Sequence, residues 1–474
     1  KIVLVGGKEL EGSFVDHASM IIDLNGRFLI PGLIDSHMHF SEYAAHLDFV
    51  DLRGVRSIKD VRDKIAEIGK NLKSSDEWVI AFGWNETEFA ENRILTKRDL
   101  DFDFPVIAFR RCMHVATLND VAISKIKNSL NKMVEGGVID LENGLLKERA
   151  LEALSEIIEK IRIEKFKKNA IRAGRILRAM GLTTVSDMGI STPYLEAYWE
   201  LSENLPIRVV AYISPSVLED YDPKEIIERN SEKFIVRGVK IYIDGSLGGH
   251  TALLYEDYTD DPGNMGVLVE PVDRLIEIAD RASSYGFDIA IHAIGDRAFS
   301  IALDIAEVAR KNGVRVRIEH CQVIRPEDLK RAKSLGVILA VQPIFINTDS
   351  QWAIERLGRT RVKYSYLLRS LLEKGFTVAG GSDAPVEAPN PLYGIYSAVY
   401  RKSITTGETF MPEEGVSIEE AIRIYTEGSA TALGIENIVG KIAPGYKAEF
   451  TILEDDPRIL GEKIKDMRAF SLIL

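Results

Sequence analysis

The stretch PGLIDSHMHF, which spans residues 31–40, joins a short apolar strand to two histidines at its end. Side chains at alternate positions of a strand point to the same face, so His37 and His39 are expected side by side. Two adjacent imidazoles suit Zn²⁺ or a similar divalent metal, whereas satisfaction by local hydrogen bonds is the alternative. We therefore predict a metal-binding strand end at this point of the chain.

Seven further apolar runs follow, most of them separated by amphipathic helical stretches. The eight candidate strands cover residues 28–35, 183–188, 207–213, 238–243, 288–293, 314–320, 337–342 and 377–382. Strands that alternate with helices are typical of βα units around a parallel sheet. Eight such units predict an α/β fold of the (β/α)8 TIM-barrel type. A doubly wound sheet is the alternative, but the sequence has no glycine-rich phosphate loop to favour it.

A long insertion interrupts the first barrel unit. Residues 48–154 follow the first strand, where a connection usually has about 2–6 residues. An insertion at the carboxyl end of a barrel strand lies over the active site, so we expect a subdomain that roofs the pocket. It is predicted to contain a helix at 58–70 and strands at 78–83 and 106–110.

The two ends of the chain, 1–27 and 434–474, are β-rich, and we expect them to pair into one discontinuous β-sandwich. This leaves residues 28–47 and 155–433 for the barrel. Because the chain begins at Lys1 and not at a methionine, the N-terminal share of the sandwich is expected to be incomplete.

The composition limits the partners. The chain of 474 residues has 60 basic and 72 acidic side chains, a formal net charge of −12. This balance argues against a general nucleic-acid binder or a protein of anionic membranes, because both need a positive face. No apolar run approaches the roughly 18 residues of a spanning helix, and two cysteines cannot build a disulfide framework. We expect a cytoplasmic protein that acts on a small molecule, as a monomer or a homodimer.

Lys240 lies in the middle of the apolar run VKIYIDG, residues 239–245. Alternation places Lys240, Tyr242 and Asp244 on one face and aliphatic side chains on the other, so the lysine is expected to point into the barrel. A buried lysine is costly unless its charge is removed or paired. Carboxylation by CO₂ would make it an anionic metal bridge, and pairing with Asp244 or Asp187 is the alternative.

His292 and His320 each end a separate apolar strand, and Asp383 follows the eighth strand. A single strand-end histidine is more often structural, but two of them in a chain that also has the 37/39 pair favour metal ligands. At Asp383 a carboxylate suits both a metal and its bound water, as ligand and proton shuttle. An N-cap for the next helix is the alternative for this aspartate.

Weaker candidates share an expected position near the pocket, where they would contact a substrate. They are Trp84, His114, His250, Asp296 and Arg297. His250 follows a glycine-containing loop after the fourth strand, and His114 lies in the insertion. Trp84 belongs to an aromatic group with Phe82 and Phe89 that hints at an apolar substrate portion, with core packing as the alternative.

Several motifs occur in a characteristic order along the chain. They are PGLIDSHMH at 31–39, KIYIDGSLG at 240–248, HAIGDRA at 292–298, IEH at 318–320, GSDAPV at 381–386 and GKIAPGYKAEF at 440–450. The first is similar to the opening signature of the amidohydrolase superfamily. Together they resemble amidohydrolase family 3, the YtcJ-like metal-dependent hydrolases that include N-substituted formamide deformylase. The resemblance covers nearly the whole chain.

The resemblance implies a hydrolase acting on carbon–nitrogen bonds other than peptide bonds, in an amide, formamide or cyclic amide. It implies one or two Zn²⁺ ions or another divalent metal, with a CO₂-derived carboxylate on Lys240 as a bridge. The implied ligands are His37, His39, Lys240, His292, His320 and Asp383. A metal-activated hydroxide would attack the carbonyl, with Asp383 as the catalytic proton shuttle.

The alternatives are an esterase, lactonase or phosphotriesterase on the same metal site, or an inactive barrel that serves as a binding or regulatory protein. Two positions depart from the family pattern. Cys112 stands where an aspartate is common, and His250 stands where an arginine is common. Both bear on the substrate rather than on the chemistry.

Overall fold

The chain folds into two compact units. The structure, a computed structural model, describes residues 1–10, 18–130 and 136–474. One unit is made of 1–40 with 171–474, and the other of 41–170. The predicted insertion at 48–154 lies within the second unit, and the domain boundaries of the sequence analysis stay predictions.

The strands in the described residues are, in chain order, β1 Phe28–Pro31, β2 Leu33–Asp35, β3 Val50–Asp51, β4 Val79–Trp84, β5 Val106–Arg110, β6 Val115–Leu118, β7 Gly137–Asp140, β8 Leu145–Glu148, β9 Leu182–Ile190, β10 Arg208–Ile213, β11 Phe234–Tyr242, β12 Asp288–Ala293, β13 Val316–His320, β14 Ile338–Val341, β15 Val378–Gly380, β16 Glu449–Leu453 and β17 Ala469–Ile473.

The α-helices in the described residues are Phe40–His46, Ile58–Gly69, Asp120–Leu130, Ser155–Ala179, Thr192–Leu201, Val217–Asp220, Pro223–Glu228, Val272–Ser284, Asp296–Ala309, Pro326–Leu335, Ile346–Asp349, Ala353–Arg361, Arg369–Glu373, Pro391–Tyr400, Ile418–Arg423 and Ser429–Ala432. A π-helical turn at Ile424–Gly428 joins the last two. Among these described helices, none combines the length and apolar character needed to cross a lipid bilayer.

Eight parallel strands form the central sheet of the first unit, in the order β2-β9-β10-β11-β12-β13-β14-β15. The Ser36 N–H donates to the Gly380 carbonyl oxygen at 3.0 Å, which joins the end of β2 to β15 and closes the barrel. The strands are apolar because both of their faces are covered; β10, for example, is buried at every position. The predicted TIM barrel is confirmed, and each of the eight predicted segments overlaps one strand of this sheet.

The first predicted strand, 28–35, is two strands in the structure, because the chain changes sheet at Gly32. β1 pairs antiparallel with β16, whereas β2 pairs parallel with β9. The Gly32 N–H donates to the Glu449 carbonyl oxygen at 3.0 Å, and a Cβ at Gly32 would lie 2.3 Å from Thr183 Oγ1. Only glycine fits this crossing, so one apolar run in the sequence conceals a boundary between two sheets.

A small antiparallel sheet of order β1-β16-β17 joins Phe28–Pro31 to the C-terminal end of the chain. The predicted sandwich of 1–27 with 434–474 stays a prediction. The predicted strands ahead of Phe28 differ from the structure. Residues 1–10 and 18–27 contain a 3₁₀ turn at Lys8–Leu10 and, within those described positions, no strand. Residues 11–17 of the predicted N-terminal β-segment lie outside the described residues.

A buried ion pair links the terminal sheet to the barrel. Arg208, the first residue of β10, donates through Nη1 and Nη2 to the two carboxylate oxygens of Glu449, each at 2.7 Å. Both side chains are only 4% exposed. A two-pronged pair of this kind fixes the geometry of both partners.

The second unit contains a six-stranded sheet of order β3-β4-β5-β6-β8-β7. Its helix Ile58–Gly69 begins at Ser57, whose side chain accepts a hydrogen bond from the Asp60 N–H. The helix predicted at 58–70 and the strands predicted at 78–83 and 106–110 are found, within a residue or so at each end. That this unit roofs the active site stays a prediction.

Candidate metal centre

His37 and His39 leave the end of β2 with their Nδ1 atoms anchored. His37 is fully buried, and its Nδ1 donates to Glu319 Oε2 at 2.5 Å. His39 Nδ1 donates to the Met188 carbonyl oxygen at 3.0 Å. With the proton on Nδ1, each Nε2 presents a lone pair. These Nε2 atoms lie 3.3 Å (His37) and 3.2 Å (His39) from Asp383 Oδ1.

Asp383 follows β15 in a strained conformation. Its φ is 57°, in the left-handed region, which costs free energy at a residue with a side chain. Its N–H donates to the His37 carbonyl oxygen at 2.7 Å, so the loop is held against the end of β2. The N-cap alternative does not apply, because the next helix, Pro391–Tyr400, is capped by Asn390. His320, at the end of β13, also lies in the left-handed region, with a φ of 71°.

His320 and His292 stand beside this group at the ends of β13 and β12. The His320 ring centroid lies 4.7 Å from that of His37 and 4.5 Å from that of His292. His320 Nδ1 contacts Gln342 Oε1 at 2.8 Å, and His292 Nε2 donates to the Gly245 carbonyl oxygen at 3.0 Å. Burial lowers the pKa of His292 to about 3 and holds that of His320 well below its usual value. Both rings are therefore neutral at pH 7, the form that binds a metal.

Lys240 is fully buried on β11. In the described part of the chain its Nζ has no hydrogen-bond partner. Burial lowers the pKa of Lys240 to about 8, although the charges of Glu319 and Asp383 oppose the shift. The predicted alternative partners are occupied elsewhere. Asp244 accepts N–H groups of Leu253, Ile294 and Gly295, and Asp187 accepts the Tyr198 hydroxyl at 2.5 Å.

These residues fit a metal ion. Ligand atoms of His37, His320 and Asp383 all lie within 4.8 Å of one another, and all three residues are buried. His37 Nε2 and Asp383 Oδ1 have no hydrogen-bond partner in the described residues. Buried lone pairs that face one another need a cation between them, either a metal or an added proton. His39 reaches the same carboxylate oxygen, and His292 and Lys240 lie at the edge of the group.

Sequence reasoning missed the support beneath His37. Glu319 is fully buried and receives Arg317 Nε at 2.5 Å as well as His37 Nδ1. Arg317 also donates to the Ser36 carbonyl oxygen at 2.8 Å. A carboxylate behind a ligand histidine fixes its ring and tautomer. In the sequence, the one sign of this support is the pair of charged residues Arg317 and Glu319, which occupy alternate positions of an otherwise apolar strand.

Two predicted substrate residues belong to the second unit. Trp84 is fully buried, its Nε1 donates to the Ala108 carbonyl oxygen at 2.9 Å, and its ring stacks on Phe89 at 6.2 Å. Trp84 packs in the core of its unit, as in the alternative given above, and its contact with a substrate stays a prediction. His114 is exposed, and its Nδ1 lies 3.0 Å from Glu148 Oε2.

The other three predicted substrate residues lie in the first unit, in loops or at a helix start after the barrel strands. His250 has a φ of 55° and its Nε2 lies 3.2 Å from Asp260 Oδ1. Asp296 accepts the Tyr255 N–H at 3.0 Å and lines an open groove with Arg325. Arg297 is exposed. The Asp296 carboxylate also accepts the Arg297 N–H at 2.9 Å, and the substrate roles of these three residues stay predictions.

Comparisons with known proteins agree with this geometry. A profile described as "Amidohydrolase family" matches residues 20–468. The amidohydrolase YtcJ of Bacillus subtilis (strain 168) is 35% identical over 456 residues, which cover 92% of this chain and 85% of that protein. An N-substituted formamide deformylase of Arthrobacter pascens is 24% identical over 489 residues, which cover 96% of this chain and 89% of that one. An uncharacterized metal-dependent hydrolase from Pyrococcus horikoshii OT3 superposes with a TM-score of 0.86 at 34% identity, covering 98% of this chain and 93% of the other.

Proposed function

The chain belongs to the amidohydrolase family and is a metal-dependent hydrolase, and we propose that it cleaves a carbon–nitrogen bond other than a peptide bond. The proposed substrate is an amide, a formamide or a cyclic amide. The observation that carries the proposal is the meeting of His37, His320 and Asp383 after β2, β13 and β15. That is the carboxyl end of the barrel, where TIM-barrel enzymes have their active sites. The similarity to a formamide deformylase supports the choice of bond.

The proposed ligands are those with lone pairs or charges at the centre. They are His37, His39, Lys240, His292, His320 and Asp383. We propose Zn²⁺, as one or two ions, because imidazole nitrogen and carboxylate oxygen are its ordinary ligands. Such an ion supplies an activated water at neutral pH and polarises a carbonyl group.

The side chains of this protein transfer the proton and orient the proposed ligands. Asp383 is proposed to accept a proton from the attacking water at its carboxylate and to return it to the leaving amine, since this carboxylate lies 3.3 Å from His37 Nε2 and 3.2 Å from His39 Nε2. Glu319 and the Met188 carbonyl oxygen hold His37 and His39 with Nε2 turned inward.

Lys240 is proposed to become carboxylated. Because the pKa of Lys240 is about 8, a fraction of the molecules carries Nζ as the neutral amine at neutral pH. The neutral amine is the form that reacts with CO₂. The product would carry a negative charge and two oxygens in place of an unpaired buried ammonium, which removes the cost of burying it alone.

Asp383→Asn tests the assignment. We expect the variant to keep its bound metal and fold and to lose roughly 10²–10⁴-fold of turnover, the usual contribution of a general acid–base group. Asp328→Asn, another buried aspartate, which binds Ser300 and Arg325, is the matched control and should keep its turnover. Unchanged turnover in Asp383→Asn would remove the proton-shuttle role.

Two rival functions are separated by simple assays. N-formyl, N-acyl and cyclic amides should be tested beside esters, lactones and phosphotriesters, since the same centre serves both bond types. Faster turnover of the oxygen esters would overturn the carbon–nitrogen proposal. A protein that stays free of metal and inactive after addition of Zn²⁺ would favour a binding or regulatory barrel.

A further inference from the structure

The second unit contains an apolar cavity of about 140 Å³. Its wall is formed by residues of this unit alone, chiefly the rings of His46, Phe49, Phe82 and Phe109, with Ile80 and Ile158 between them. Met113 and Arg162 complete it. No residue of the proposed metal centre lines this cavity.

The aromatic rings are arranged edge to face. The His46 ring centroid lies 4.7 Å from that of Phe49 at an interplanar angle of 62°, and 6.0 Å from that of Phe82 at 88°. His46 Nδ1 donates to the Glu42 carbonyl oxygen at 2.7 Å, which fixes the ring. Burial lowers the pKa of His46, so the ring is neutral at pH 7. The cavity is thus lined by uncharged faces and edges that suit a further ring.

The cavity opens partly to solvent, since five of its eight lining residues are half-buried and Met113 is exposed. Apolar cavities of about 150 Å³ stay dry and bind benzene. At the rim, Arg162 Nε is buried and has no hydrogen-bond partner in the described part of the chain. The nearest acid is Glu42, whose Oε1 lies 4.0 Å from Arg162 Nη1. The site therefore offers an apolar slot and one unused donor.

We propose that this cavity binds a single six-membered aromatic ring, with a hydrogen-bond acceptor on the ring placed at Arg162 Nε. A volume of about 140 Å³ is close to that of the apolar cavity that binds benzene, so the space suits one ring. The proposed occupant is a free monocyclic aromatic compound.

The test uses the full-length protein and toluene as the probe, followed by titration calorimetry and thermal unfolding. We expect one saturable site and a midpoint of unfolding that rises with toluene concentration, because a ligand of the folded state stabilises it. Ile158→Phe should fill the cavity and weaken toluene binding about tenfold or more. Ile157→Phe is the matched control: the same change on the same helix, at a half-buried residue outside the cavity wall.

Three results would overturn the proposal: no saturable binding of toluene, equal binding by Ile158→Phe and the unchanged protein, or equal losses in the two phenylalanine variants. If Ile158→Phe does not fold, Phe82→Leu decides, since the enlarged cavity should gain affinity for naphthalene relative to toluene. Benzoate tests the role of Arg162, because its carboxylate can accept a hydrogen bond and toluene cannot. Benzoate should bind more tightly than toluene to the unchanged protein, and Arg162→Met should lower the affinity for benzoate to that for toluene without changing toluene binding. Loss of amide hydrolysis has no bearing on these binding results.

Discussion

Glu319→Gln is the sharpest test of the candidate centre, because one buried carboxylate holds both a proposed ligand and a buried cation. Glu319 Oε2 receives His37 Nδ1 at 2.5 Å, and Glu319 Oε1 receives Arg317 Nε at 2.5 Å. Glutamine keeps the shape but removes the charge. The charge-assisted bond that orients His37 becomes an ordinary one.

Two effects of this substitution can be estimated. Loss of a carboxylate behind a ligand histidine usually weakens metal binding by about 10–100-fold, or about 1.4–2.7 kcal/mol. Leaving Arg317 buried without its partner lowers the free energy of unfolding by about 3–5 kcal/mol. The second effect is structural, and a control is needed to separate it from the first.

Glu449→Gln is that control. Glu449 forms the other buried arginine pair, with Arg208, at 2.7 Å and 4% exposure, and it contacts none of the proposed ligands in the described structure. Metal affinity is measured by competition with a chromogenic chelator, and stability by denaturant unfolding. We expect both variants to lose stability and only Glu319→Gln to lose metal affinity. Equal metal affinity in the two variants would refute the reasoning.

Three further predictions follow from other residues. Gly32→Ala should lower the free energy of unfolding by about 1–3 kcal/mol, because its Cβ would lie 2.3 Å from Thr183 Oγ1; an unchanged denaturation midpoint would contradict the crossing described at Gly32. Burial raises the pKa of Asp349 to about 7, so the folded state keeps a proton that the unfolded state loses near pH 4; stability should fall by up to about 1.4 kcal/mol per pH unit between these values, and Asp349→Asn should flatten that slope in urea titrations at pH 4–8. Protein equilibrated with ¹³C-bicarbonate should give a carbamate carbon signal in NMR spectra that Lys240→Met lacks, and its absence from the unsubstituted protein would exclude carboxylation.

The barrel was predictable because its strands are buried on both faces. Such strands read as short, continuous apolar runs, and the eight runs match the eight strands of the sheet. The first run was read as one strand because hydrophobicity does not change where the chain passes from β1 to β2. The only local mark of the change is Gly32, whose meaning depends on Thr183, far along the chain.

The sequence allowed the grouping of His37, His320 and Asp383 to be predicted, but not the support beneath His37. His37, His39, His292 and His320 stand at strand ends, a position that strand periodicity reveals. Glu319 bonds to His37 across the barrel, and that proximity arises only when β2 and β13 face one another. The burial of Trp84 could not be predicted for the same reason, since an aromatic residue looks alike in sequence whether it packs in a core or meets a ligand.

The Arg208–Glu449 pair makes the chain ends part of the barrel's own folding. A chain that ends before β16 would lack Glu449. The buried guanidinium of Arg208, at the start of β10, would then have no carboxylate to neutralise it. Such a chain would also lack the carbonyl oxygen that Gly32 uses where the chain enters the first barrel strand. The small terminal sheet therefore contributes to the stability of the barrel. We expect this sheet to unfold in the same cooperative step as the barrel. Its removal should prevent the barrel from folding.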